Sequence, residues 1–148
     1  MQPKVILLVE DNPDDVRLTR RALKVNGISN ELVVANDGAA ALDYLATAAA
    51  SRDGVLPTVT LLDLDLPKID GLEFLRRVRA DAGLRRLPIV VLTSSNEAQD
   101  VIKSYDLGAN SYIQKPVDFE QFTAAVRQMG IYWLRLNEPP PRPDAYAP

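Results

Sequence analysis

The chain has 148 residues, 47% hydrophobic and 25% charged, the balance of an ordinary globular protein with enough length for one good core. A net charge of −3 offers no basic footprint for nucleic acid, and no apolar run approaches the length that spans a bilayer. Cysteine and histidine are both absent, which excludes disulfides, thiolate zinc sites, His-based triads and His-ligated metals, and leaves acid–base or metal chemistry to Asp, Glu, Lys, Ser, Thr and Tyr. Donors of that kind favour hard cations with oxygen ligands. The N-terminus reads as a short charged turn and then a strand, so no signal peptide is expected and the cytoplasm is the expected compartment.

Residues 4–9 are predicted to form a buried parallel strand, because the apolar run Val5-Ile6-Leu7-Leu8-Val9 is unbroken. Asn12-Pro13 then supplies an N-cap and a proline at the first helical position. That helix is predicted to reach about Asn26 with Leu18, Ala22 and Val25 on its apolar stripe, and Gly27 suits its end. A Val-rich strand follows over 31–35, then a helix from Asp37 through Ala41, Leu42 and Leu45 to about Ala50. The third strand is predicted over 58–63 and the third helix over 70–81, with Asp70 as cap and Glu73 as its reciprocal partner. The fourth strand covers 89–93. Asn96 and Gln99 then suggest a capping box for a helix whose apolar residues Ala98, Val101, Ile102 and Tyr105 follow the helical spacing, up to Gly108. A short fifth strand spans 111–114. Asp118, with Gln121 at the third position, opens a fifth helix whose stripe is Phe119, Phe122, Val126 and Met129.

Strands alternating with helices predict a parallel sheet covered on both faces, an α/β fold. Right-handed crossovers make it a flavodoxin-like, doubly wound (βα)5 architecture with strand order 2-1-3-4-5. One domain is expected over 1–136, followed by an extended Pro-rich tail over 137–148.

Ligands in such folds bind beyond the C-terminal ends of the strands. Glu10-Asp11, Asp63, Thr93-Ser94 and Lys115-Pro116 all lie at such ends. Strands one and three are neighbours in the expected order, so Glu10, Asp11 and Asp63 should meet. Like charges about 4 Å apart repel by roughly 4 kcal/mol at an effective dielectric of 20. A divalent cation is the direct compensation, and Mg²⁺ fits carboxylates serving phosphate chemistry. The alternative is a set of solvated loop acids, each hydrogen-bonded to backbone amides. Lys115 and Thr93 add an ammonium and a hydroxyl on the same edge, which is the equipment for a phosphoryl group on Asp63.

The set Glu10-Asp11, Asp63-x-x-x-Pro67, Asp70-Gly71, Thr93-Ser94 and Lys115-Pro116 resembles the receiver domain of two-component response regulators, over about residues 4–134. The resemblance implies that Asp63 accepts a phosphoryl group from the phosphohistidine of a partner histidine kinase. It implies that Asp11, Asp63 and the backbone carbonyl of Asp65 hold Mg²⁺, with Glu10 acting through water. Thr93 would move toward the phosphoryl oxygens, Tyr112 would swing inward with it, and Lys115 would pair with the phosphate. Lys115-Pro116 would be a cis peptide. The stretches 10–19, 104–110 and 115–121 are similar to stand-alone receivers that partner phytochrome-type histidine kinases. Asp65 departs from that group, which often has Asn there; the swap adds an acid beside the site.

Rival readings remain on this fold. An aspartate-nucleophile phosphohydrolase also carries paired acids, mimicked by Asp63-Leu64-Asp65, but on its first strand and followed by Thr or Val rather than Leu66-Pro67. A flavin or nucleotide binder needs amide and hydroxyl donors after the first strand, where this chain has Glu10 and Asp11. Direct binding to DNA or to a membrane is not expected. Near the C-terminus Gly130 is expected to interrupt the fifth helix. Tyr132, Trp133 and Leu134, with Pro139 and Pro140, are expected to make a homodimer contact, the alternative being that Trp133 folds back on its own domain.

Overall fold

The computed structural model describes residues 4–142, so residues 1–3 and the end of the expected tail, 143–148, lie outside the described residues. Five parallel strands, β1 (Val5–Val9), β2 (Glu31–Ala35), β3 (Val59–Leu62), β4 (Ile89–Thr93) and β5 (Ser111–Gln114), pair in the order β2-β1-β3-β4-β5. Every residue of β1, β3 and β4 is buried, whereas β2 and β5 are partly exposed, because only the three central strands are flanked on both sides. Five helices connect and cover them: α1 (Pro13–Val25), α2 (Gly38–Ala50), α3 (Gly71–Ala80), α4 (Ala98–Asp106) and α5 (Phe119–Ile131).

Successive residues of a strand point to opposite faces, and the core divides accordingly. Ile6, Leu8, Leu61, Val90 and Leu92 meet Ala22 and Leu23 of α1 and Phe122, Val126 and Met129 of α5. Leu7, Val9, Leu62 and Ile89 meet Ala41 and Leu45 of α2 and Phe74, Leu75 and Val78 of α3. The helix starts carry the expected caps: the side chains of Asn12, Asp37, Asp70 and Asp118 each accept a first-turn backbone N–H.

Several local expectations are corrected. The buried face of α1 is Thr19, Ala22 and Leu23, not Leu18 and Val25, which are exposed. A threonine can be buried there because its hydroxyl donates to the Asp15 carbonyl at 2.8 Å. The apolar stripe expected to bury α4 faces outward: Ile102 is 59% and Tyr105 50% exposed, and Ser104 is the buried residue. Small Ser104 permits a close approach that the larger side chains would block. Asn96 and Gln99 form no capping box, since Glu97 is the N-cap and Ser95 Oγ accepts its N–H at 3.3 Å. Glu73 does not reach back to Asp70 because Arg76 and Arg77 hold its carboxylate at 2.6 and 2.8 Å. At α5 the capped amide is that of Glu120 rather than Gln121. Lys115–Pro116 is not a cis peptide; the described residues contain none. The trans form is the intrinsically favoured one, and in it Lys115 N–H continues the β4–β5 ladder by donating to the Thr93 carbonyl at 2.7 Å.

Gly130 does not interrupt α5. The helix runs through it and widens into a π-helical turn, Tyr132–Leu136. A Cβ at Gly130 would stand 2.4 Å from Ile28 Cδ1, so the glycine lets the α1–β2 connection pack against α5. Leu134 is buried and Trp133 packs against the same core cluster. Tyr132 and Leu136 are 49% and 71% exposed. The Lys4 ammonium donates to the Leu134 carbonyl. The following segment crosses to α2, where the Arg142 guanidinium donates to the carbonyls of Ala48, Ala49, Ser51 and Gly54.

Candidate functional site

Parallel pairing places the expected site residues before any side chain is considered. Val9 lies beside Leu62 in the ladder, so the residues that follow, Glu10 and Asp63, emerge together at the same sheet edge. Asp63 N–H donates to the Val9 carbonyl at 3.1 Å and Glu10 N–H to the Ala35 carbonyl at 2.9 Å, fixing both departure points. Thr93 ends β4, and its register partner Gln114 precedes Lys115. The connection after Asp63 is equally constrained. Gly71 N–H donates to the Leu64 carbonyl at 3.0 Å, and a Cβ on Gly71 would stand 2.5 Å from the Asp63 carbonyl oxygen. Only glycine lets α3 begin this close to the site.

Asp63 is buried with both carboxylate oxygens engaged. Oδ1 accepts from Thr93 Oγ1 at 2.9 Å and from Asp65 N–H at 3.2 Å, while Oδ2 accepts from Lys115 Nζ at 3.3 Å. The same ammonium donates to Glu10 Oε1 at 2.5 Å and to Asp15 Oδ2 at 3.0 Å. Glu10 is fully buried, and its Oε2 accepts from Asn12 N–H at 3.3 Å.

Burial favours the neutral form of Glu10 and raises its carboxyl to about 7, against the pull of the Lys115 ammonium. For Asp63 burial acts in the same sense. A side-chain hydrogen bond with Glu10, the Lys115 charge and the donors Thr93 and Asp65 outweigh it and hold Asp63 below the ordinary carboxylate value. Burial acts to lower Lys115, but Glu10, Asp63 and Asp15 raise its pKa overall and keep it a cation. The neighbouring pair thus separates into an ionised Asp63 and a more basic Glu10.

The expected metal ligands come together in part. Oxygen atoms of Glu10, Asp11 and Asp63 lie within 4.8 Å of one another. Asp11 is open to solvent, which leaves room for the waters that a small hard cation retains. The donor set therefore fits a divalent cation. The Asp65 side chain is exposed and stands outside that trio. Tyr112 lies on β5, half-buried, with its hydroxyl donating to the Ser95 carbonyl at 2.8 Å. Ser95 Oγ in turn donates to Asp100 at 2.6 Å. Sequence reasoning passed over Asp15 and Ser95. Asp15 carried one readable signal, an acid at the third position of the helix that begins beside Glu10-Asp11.

The family model described as the response regulator receiver domain matches residues 6–127. Response regulator Rcp1 of Synechocystis sp. is 41% identical over 132 residues, covering 89% of this chain and 90% of that protein. Rcp1 has also been solved in a Mn²⁺-bound form, which superimposes with a TM-score of 0.83 at 40% identity over 94% of this chain and 100% of that one. The phosphorylated cyanobacterial phytochrome response regulator RcpA gives a TM-score of 0.86 at 38% identity, covering 95% of this chain and 100% of that one. Bacteriophytochrome response regulator RtBRR is 53% identical, with a TM-score of 0.73, over 95% of this chain and 86% of that one. These likenesses run through the strands that deliver Glu10, Asp63, Thr93 and Lys115 to one edge, and with the family model spanning most of the chain they show that it belongs to the response regulator receiver family.

Proposed function

We propose that Asp63 takes a phosphoryl group from the phosphohistidine of a phytochrome-type sensor histidine kinase, and that the chain is a conformational switch rather than a turnover enzyme. The observation that carries this reading is the engagement of both Asp63 oxygens. The groups that hold them, Thr93 Oγ1 and Lys115 Nζ, are the hydroxyl and ammonium that a phosphoryl group on Asp63 would need. In the transfer an Asp63 carboxylate oxygen bonds to phosphorus, the phosphorus–nitrogen bond of the donor breaks, and the donor imidazole leaves with the electron pair and takes up a proton. Asp11, Asp63 and the Asp65 backbone carbonyl, with Glu10 acting through water, would hold Mg²⁺, which would supply positive charge to offset the acids during transfer. Lys115 keeps one phosphoryl oxygen neutralised, and Thr93 turns its hydroxyl to another.

A group of about −2 charge needs new donors. Thr93 leaving Asp63 Oδ1 is the local event that would reach Tyr112 and the Ser95 carbonyl, reshaping the face of α4, β5 and α5. Thr93→Ala should accept phosphate and signal poorly. Identical Thr93 and Tyr112 rotamers in resting and phosphorylated structures would overturn this coupling. The kinase assignment is supported by the phytochrome relatives, and the cytoplasm is the compartment in which such a kinase would deliver its phosphoryl group.

The deciding experiment is incubation with acetyl phosphate and Mg²⁺, read by intact mass. One phosphoryl group is expected on the native chain and none on Asp63→Asn. Undiminished labelling of that variant would sink the assignment. Multiple turnover of a small phosphomonoester would favour a phosphohydrolase instead.

A further inference from the structure

Lys115 brings three N–H donors to the site and meets three carboxylates, Glu10 at 2.5 Å, Asp15 at 3.0 Å and Asp63 at 3.3 Å. Under the function proposed above, two of these acids have other duties. Glu10 and Asp63 belong to the cluster that fits a cation, and Asp63 takes the phosphoryl group. Asp15 does neither. It stands in the first turn of α1, outside that cluster.

The ordinary role of an acid at the third helical position is to reach back and accept the N–H of the capping residue. Here that N–H, on Asn12, already goes to Glu10 Oε2 at 3.3 Å, and Asp15 turns to Lys115 instead. Its backbone is held firmly. Pro13 opens the helix, Asn12 Oδ1 accepts from Asp14 N–H at 2.9 Å, and the Asp15 carbonyl accepts from buried Thr19 at 2.8 Å.

We infer that Asp15 is a positioning residue for Lys115: with Glu10 it fixes the ammonium at two points, so that the remaining N–H is aimed at Asp63 and passes to a phosphoryl oxygen there. This rests on the receiver reading of Asp63. Lys115 carries its charge on a flexible four-carbon stem. One anchor leaves the ammonium free to turn about a single contact, and two leave it one orientation. Phosphoryl transfer depends almost wholly on placement and charge, so a loosened Lys115 should slow the chemical step. Asp15 is suited to this because neither the cation nor the phosphoryl group competes for it.

The test is a quenched time course of phosphorylation of the full chain by acetyl phosphate at saturating Mg²⁺, read by intact mass. Asp15→Ala should lower the maximal rate roughly tenfold, the scale of a small misplacement. Its Mg²⁺ dependence and thermal midpoint should stay as in the native chain. Asp15→Asn, which keeps an acceptor oxygen, should recover most of the rate. Equal rates for the native chain and Asp15→Ala overturn the inference. A loss that follows the thermal midpoint, or that Asn does not recover, overturns it as well, because Asp15 would then act through folding or bulk charge. A native chain that takes no phosphoryl group overturns the receiver reading first and this inference with it.

Discussion

Glu73 ties the third helix to pH. Its carboxylate sits in the first turn of α3, where Arg76 and then Arg77 hold it by hydrogen bonds and lower its pKa from 4.5 to about 2. The folded state thus prefers the ionised form more strongly than the unfolded chain does. That contribution is complete above 4.5, where both states are ionised, and disappears as pH falls toward 2. The pair is exposed, so the effect is small and should weaken with salt. Urea unfolding of Glu73→Gln should show a shallower loss of stability across that acid range than the native chain. An identical slope in both proteins would show that Glu73 contributes nothing there. At the sheet edge that carries the candidate site, single residues act through shared partners instead: Thr93, Asp65 and Lys115 all meet on the two oxygens of Asp63.

At the scale of the element, α4 is the one whose packing departs most from its pattern. It touches the core through Ser104, whose buried hydroxyl has no hydrogen-bond partner, while Ile102 and Tyr105 face solvent. A buried hydroxyl without a partner is destabilising, and Ala is also the better helix former. Ser104→Ala should therefore raise stability by about 1 kcal/mol, and Ile102→Ser should change it by less than about 0.5 kcal/mol, both by denaturant unfolding. A large loss on Ile102→Ser would mean that the stripe is buried after all. Helices α2 and α5 bury most of the stripe that their periodicity promises, Ala41 and Leu45 in the one and Phe122, Val126 and Met129 in the other. α3 delivers fully buried Phe74, Leu75 and Val78 to the core cluster beside β3, so the proposed phosphoacceptor Asp63 follows a strand that stands on rigid packing.

For the whole molecule, the segment after Met129 completes the domain and then runs over its surface. Leu134 fills the core cluster on the α1–α5 face, Trp133 leans on it, and Arg142 closes the C-terminal end of α2. A guanidinium there satisfies carbonyls that the helix leaves unbonded and complements its dipole. Removing everything after Gln128 would thus strip a buried leucine from the core as well as any self-contact. Losing that leucine alone costs about 2–5 kcal/mol by the usual Leu→Ala range. Proposed homodimerisation is better tested on the exposed residues, Tyr132 and Leu136, which join Trp133, Pro139 and Pro140 on this stretch. Tyr132→Ser with Leu136→Ser should keep the thermal midpoint and convert dimer to monomer in light scattering at tens of micromolar. A native chain that is monomeric there, phosphorylated or not, defeats the dimer.

The order of elements, the caps at Asn12, Asp37, Asp70 and Asp118, and the gathering of Glu10, Asp63, Thr93 and Lys115 were legible from sequence alone. Each rests on a local rule, and the parallel sheet converts strand ends into one edge without further information. Tertiary structure alone decided which side of α1 and α4 is buried, because apolar spacing marks a stripe but not what lies opposite it. It alone showed what a glycine at 130 accommodates inside α5, since a Cβ there would meet Ile28, about a hundred residues away. Asp15 belongs with these. Its sequence position fits an ordinary helix start, and only the approach of Lys115 from the far end of the chain gives its carboxylate another partner.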